Sequence, residues 1–146
     1  MARYFSYGSN MSVAAMALRC PASKPRGAAQ LGGYRLGVMR EGWLTIVADA
    51  SAHVHGVLWD LARADIDALD RYEGVGERLY TKIKRTVISA GGPSLALIYL
   101  GANDGPGVAR QAYLDDVIIA AREWRLPPES IAALHGLAGG APCSGG

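Results

Sequence analysis

Glycine punctuation is what most restricts how this chain folds. Of its 146 residues 19 are glycine, and Gly32-Gly33, Gly42, Gly91-Gly92 and Gly105-Pro106-Gly107 fall between short apolar stretches, where turns belong. Those stretches read as strands at about 4–7, 34–39, 43–48, 53–60, 82–89 and 95–100. Within 82–87, Ile83 and Val87 point one way and Lys82, Lys84 and Thr86 the other, as in a strand with one wet face. Strands outnumber helices and most gaps between them are of hairpin length. The expected fold is therefore mixed α+β, a curled or barrel-like sheet with a few packed helices.

Helical spacing is confined to four places. At 12–19, Val13, Met16 and Ala17 follow Ser9, Asn10 and Ser12, any of which can cap a first turn. At 64–71, Ile66 and Leu69 share a face, and Asp65 and Asp67 lie in the first turn, where carboxylates suit the helix dipole. At 109–125, Tyr113, Val117, Ala121 and Trp124 make one apolar stripe that stops at Leu126-Pro127-Pro128. A short helix is expected at 129–137. One domain over 1–138 accounts for these elements. The residues 139–146, Gly-Gly-Ala-Pro-Cys-Ser-Gly-Gly, have nothing to bury and read as a flexible tail.

Composition excludes several classes of function. With 50% hydrophobic and 19% charged residues the chain is globular rather than disordered. No run approaches the roughly 20 apolar residues of a membrane span. The opening Met1 to Tyr7 lacks the apolar region of roughly 7 to 15 residues in a signal peptide, so a cytoplasmic protein is expected. The net charge of +2 is spread over scattered Lys and Arg, which argues against nucleic acid as a partner. Cys20 and Cys143 lie far apart with no C-x-x-C pair and read as free thiols. His53 and His55 alternate along a strand and share a face, open either to a common metal or to plain solvation. No third ligand is near them in sequence, and no metal is expected. Neither a P-loop nor a G-x-G-x-x-G follows any strand, so no nucleotide cofactor is indicated, and no G-x-S-x-G elbow makes Ser9 a triad nucleophile.

Two constellations carry chemistry. Tyr7-Gly8-Ser9-Asn10 falls where the first strand gives way to a helix, a place where successive backbone N–H groups can cradle a carboxylate or an oxyanion. The same residues also make an ordinary turn and N-cap. The second is Leu69-Asp70-Arg71-Tyr72-Glu73-Gly74-Val75. Gly74 is a natural helix stop, which leaves Glu73 in a last turn whose dipole disfavours a carboxylate. Glu73 is either an idle surface acid or a general base with a raised pKa. Among the five glutamates, Glu123 and Glu129 read as solvated and first-turn residues, and Glu41 and Glu77 sit in glycine-flanked loops. Glu73 is the one whose position needs a reason.

Taken together these segments resemble the gamma-glutamylcyclotransferase-like family. The resemblance runs from Arg3 to about Leu137. It rests on Tyr4-Phe5-Ser6-Tyr7-Gly8-Ser9-Asn10-Met11, on Arg19 with Pro21 and the stretch 31–36, on Val54-His55-Gly56-Val57-Leu58-Trp59, on Leu69-Asp70 with Glu73-Gly74-Val75 and Tyr80, and on Leu126-Pro127. The resemblance implies a barrel-like fold and a reaction needing neither metal nor cofactor, in which the amine of a γ-glutamyl substrate attacks its own γ-carbonyl and releases 5-oxoproline and a free amine. It assigns acid–base catalysis to Glu73. Substrate binding falls to Tyr4, Tyr7, Gly8, Ser9, Asn10, Tyr80 and Tyr113, the last two equally readable as core aromatics. Arg40-Glu41-Gly42-Trp43 and the two histidines match no pattern that names the leaving amine.

The expected partner is thus a small γ-glutamyl amino acid, peptide or amine, with the protein a monomer or homodimer. The alternatives are a cyclotransferase for a specialised γ-glutamyl biosynthetic intermediate and a binding module that turns nothing over. A buried Glu73 would cost such a module desolvation for no gain.

Overall fold

Two long strands carry the structure, a computed structural model that describes residues 2–137. β2 (Lys24–Val38) and β3 (Leu44–Leu61) pair antiparallel across a tight turn in which the Met39 N–H donates to the Trp43 carbonyl at 2.9 Å and the Gly42 N–H to the Met39 carbonyl at 2.8 Å. Register shifts between Pro25 and Gly27 and between Gly32 and Tyr34 bend the pair. Bulges of this kind raise local twist and let long strands curl. β1 (Ala2–Ser6) lies antiparallel along the end of β3, from Ala2 opposite Leu61 to Ser6 opposite Val57. β4 (Tyr80–Ser89) and β5 (Gly92–Gly101) form a second hairpin. β4 meets β2 at Ala29–Ser89, and β5 runs parallel to β1 at Tyr4–Leu97. The result is a closed barrel in the order β1-β3-β2-β4-β5. Phe5, Leu31, Val57, Leu58, Trp59 and Ile98 are sealed from solvent, some inside the barrel and some beneath the packed helices, in one hydrophobic core.

β1 and β3 come close at Gly56. A Cβ there would stand 2.2 Å from the Ser6 carbonyl oxygen and 2.8 Å from the Phe5 ring, so no side chain fits.

Four helices and a 3-10 turn (Ser9–Met11) pack around the barrel. α1 (Val13–Arg19) is capped by Ser12, whose hydroxyl accepts from the Ala15 N–H at 3.1 Å. α2 (Arg63–Tyr72) follows β3, and Asp65 in its first turn accepts from the Ala22 N–H at 3.0 Å and the Ser23 hydroxyl at 2.7 Å. α3 (Gln111–Glu123) turns Val117 and Ala121 into the core, and α4 (Pro128–His135) follows Pro127.

The expected α+β barrel with packed helices is what forms, with three local corrections. The strand expected at 34–39 is only the end of β2. Its part 24–33 was hidden by Pro25, Gly27, Gly32 and Gly33, which read as breakers and instead mark bulges. The strands expected at 43–48 and 53–60 are one strand, β3. The irregularity between them survives as a bulge, where Asp49 Oδ1 accepts from the Ser51 N–H at 3.1 Å and the Ser51 hydroxyl at 2.9 Å. α3 and α4 end two residues short of the expected 125 and 137. Among the described residues no helix is long and apolar enough to cross a membrane. Cys20 is a free, buried thiol. The expected tail 139–146, with Cys143, lies outside the described residues.

Candidate active site

The chain leaves β1 at Ser6, buries Tyr7 and enters the 3-10 turn at Ser9. The first hydrogen bond of that turn runs from the Met11 N–H to the Gly8 carbonyl at 3.0 Å. The N–H groups of Gly8, Ser9 and Asn10 precede it and stand outside the turn's own ladder. Side-chain contacts hold this loop. Arg19 donates to the Ser9 hydroxyl at 3.2 Å and to Asn10 Oδ1, and the Trp124 indole N–H donates to the Met11 carbonyl at 2.7 Å. The Arg19 guanidinium also lies 3.7 Å over the Tyr72 ring.

Glu73 reaches the loop from the other side. It is the C-cap of α2, followed by Gly74 at φ 66°. The Val75 N–H donates to the Asp70 carbonyl at 3.0 Å and the Gly74 N–H to the Arg71 carbonyl at 3.1 Å, the paired bonds of a Schellman ending. Asp70, in the last turn, accepts from the Tyr99 hydroxyl at 2.6 Å and from Lys82 Nζ at 2.8 Å, which pins that turn to β4 and β5. So held, the half-buried Glu73 accepts from Asn10 Nδ2 at 3.3 Å, and the same amide donates to the Tyr4 hydroxyl at 3.0 Å.

These groups face a pocket of about 340 Å³, counted to its mouth, lined by Tyr4, Tyr7, Gly8–Asn10, Leu44, Glu73, Tyr80, Tyr99 and Tyr113 together with Phe5. The Tyr7 hydroxyl donates to the Tyr99 carbonyl at 2.6 Å, and the Tyr80 hydroxyl to the Leu44 carbonyl. The Tyr113 hydroxyl accepts from the Leu44 N–H at 3.3 Å. Burial raises all five phenols above their ordinary range, Tyr113 to about 12, and the nearby Glu73 charge pushes the same way. They stay protonated and serve as hydrogen-bonding walls. Burial also raises Glu73, to about 7, against the opposing pull of Arg19. Glu73 is thus the lining group poised to exchange a proton near neutral pH.

A second chamber of about 500 Å³ continues outward, sharing Ser9, Glu73, Tyr80 and Tyr113 with the first and adding Trp43, Tyr72 and Leu79. Trp43 packs edge-on against Tyr113, centroids 5.1 Å apart. Glu73 sits where a tight, hydroxyl-rich pocket opens into an aromatic antechamber.

All the residues singled out from sequence, Tyr4, Tyr7, Gly8, Ser9, Asn10, Glu73, Tyr80 and Tyr113, line the inner pocket. Sequence reasoning missed Tyr99 and the bracing by Arg19 and Asp70. A tyrosine inside the apolar run 95–100 looks like core, and only strand pairing reveals its hydroxyl on α2. Trp43 belonged to a stretch with no assigned purpose and proves to wall the antechamber. Burial, which the sequence could not show, is the largest cause of the raised Glu73 pKa.

The structure is thus a closed five-stranded barrel holding a tyrosine-lined pocket in which burial raises one carboxyl group to about 7. A family profile described as "Gamma-glutamyl cyclotransferase, AIG2-like" matches residues 4–126. A Mus musculus protein named gamma-glutamylcyclotransferase is 30% identical over 137 residues, covering 86% of this chain and 73% of its own length, and a Homo sapiens protein of the same name is 28% identical over the same shares. A solved structure titled gamma-glutamyl cyclotransferase shares the fold with a TM-score of 0.85 at 24% identity, over 99% of this chain and 92% of that one. The chain belongs to the gamma-glutamyl cyclotransferase, AIG2-like family.

Proposed function

We propose that the protein is a cyclotransferase that converts a γ-glutamyl compound into 5-oxoproline and a free amine, with Glu73 as the acid–base group. The observation that carries this reading is a carboxylate with a pKa of about 7 at the junction of the two chambers. The γ-glutamyl head enters the inner pocket, and its leaving group lies in the antechamber. Glu73 takes a proton from the α-ammonium. The freed amine attacks the γ-carbonyl carbon, forming the ring C–N bond and an oxyanion that the N–H groups of Gly8 to Asn10 receive. Collapse of the oxyanion breaks the bond to the leaving nitrogen, to which Glu73 returns the proton, and the ring nitrogen gives up its second proton to the released amine, which departs as the ammonium. Attack within one molecule needs little beyond a folded substrate, because the reacting groups are already held together.

Trp43, Tyr72 and Leu79 argue for the kind of amine released. An aromatic antechamber favours γ-glutamyl derivatives of apolar or aromatic amines over those of small polar ones. The test is 5-oxoproline release from a panel of γ-glutamyl amino acids and amines, followed in the wild type, Glu73→Gln and Trp43→Ala. Release is expected to fall by roughly 10²- to 10⁴-fold in Glu73→Gln with folding retained. Trp43→Ala should raise KM for aromatic leaving groups more than for glycine. A fully active Glu73→Gln protein would remove Glu73 from the mechanism.

A further inference from the structure

His53, His55 and Glu129 meet away from the pocket, in a separate surface groove that shares no lining residue with either chamber. The two histidines alternate along β3, and Glu129, in the first turn of α4, is brought beside them by the fold. The third ligand that sequence spacing lacks is thus supplied by tertiary structure. One potential ligand atom from each lies within 4.8 Å of the others. Clustered polar groups ordinarily satisfy one another, and these do not. Among the described residues neither histidine ring makes a hydrogen bond and Glu129 makes no ion pair, while His55 Nε2 is buried without a partner. Arg35, in the same groove, is engaged with Asp49 at 3.8 Å.

We propose that His53, His55 and Glu129 form a binding site for a divalent d-block cation, zinc foremost. Two imidazoles and one carboxylate are a donor set that zinc accepts readily, with a fourth position left for water. Bonds of about 2.0–2.2 Å to a tetrahedral ion set the donor atoms roughly 3.3 Å apart. Rotation of the exposed His53 and Glu129 side chains about the half-buried His55 closes that gap. The ion would staple α4 to the barrel wall.

The test titrates zinc chloride into the Cys143→Ser protein, which removes a competing thiol, by calorimetry, with the visible spectrum of cobalt(II) as an independent reading of coordination. One saturable ion per chain is expected, with a raised Tm and the intense absorption of tetrahedral cobalt. Affinity should fall by roughly tenfold or more in each of His53→Ala, His55→Ala and Glu129→Ala, and hold in His135→Ala. His53 is exposed, so its variant keeps the measurement valid should His55→Ala misfold. No saturable binding, or binding undiminished in His53→Ala or Glu129→Ala, overturns the site.

Discussion

At Glu73 the balance between burial and the Arg19 charge sets both chemistry and stability. If the carboxylate takes the first proton, kcat/KM rises with pH along a limb whose midpoint lies at about 7. The same group has a pKa near 4.5 when unfolded. A raised native value means the folded protein binds more protons between those two pH values. Its stabilising contribution is complete below about 4.5 and is lost as pH rises through about 7. Denaturant melts of the wild type and Glu73→Gln should therefore diverge with pH, the variant gaining relative stability at pH 8 over pH 4. A wild-type to variant difference that ignores pH would contradict the raised value. Glu73 could be picked out in the sequence because Gly74 marks a helix end. The reason for its altered acidity could not, because the burying tyrosines come from four separate parts of the chain.

At the level of elements, the Schellman ending of α2 aims the carboxylate. Gly74 at φ 66° already disfavours a side chain, and a Cβ there would stand 3.1 Å from Leu79 Cβ. Gly74→Ala should cost about 1–2 kcal/mol in a denaturant melt and lower kcat more than the stability loss explains, because Glu73 swings from Asn10. Equal kcat in a destabilised variant would show that the helix ending positions nothing. This ending was visible as a Glu-Gly pair after an amphipathic run. β2 was not visible over most of its length, since a bulged strand uses the same glycines and proline as a turn. The difference lies in long-range pairing with β3, which local sequence does not encode. Tyr99 and Asp70 were obscure for the same reason, as their bond joins β5 to α2.

For the whole molecule, barrel closure rests on the close approach of β1 and β3 at Gly56. Gly56→Ala puts a methyl group against the Ser6 carbonyl and the Phe5 ring. It should destabilise the protein by roughly 3 kcal/mol, seen as a lower Tm, whereas Gly32→Ala, with open space around it, provides the contrast. Similar melts for both would mean that β1 adjusts freely. The α+β class and barrel character could be inferred from strand count and gap length. Strand order could not, because β1 pairs with β3 and β5 and not with its successor. That order bears on how the protein is made. A ribosome releases Tyr4 and Tyr7 long before Leu97 and Tyr113, so the emerging first strand stays unpaired while its partners are synthesised, and non-local pairings of this kind form slowly. The pocket consequently cannot close before Tyr113 has emerged, and a nascent chain cut short earlier holds Tyr4, Tyr7 and Glu73 without their full wall.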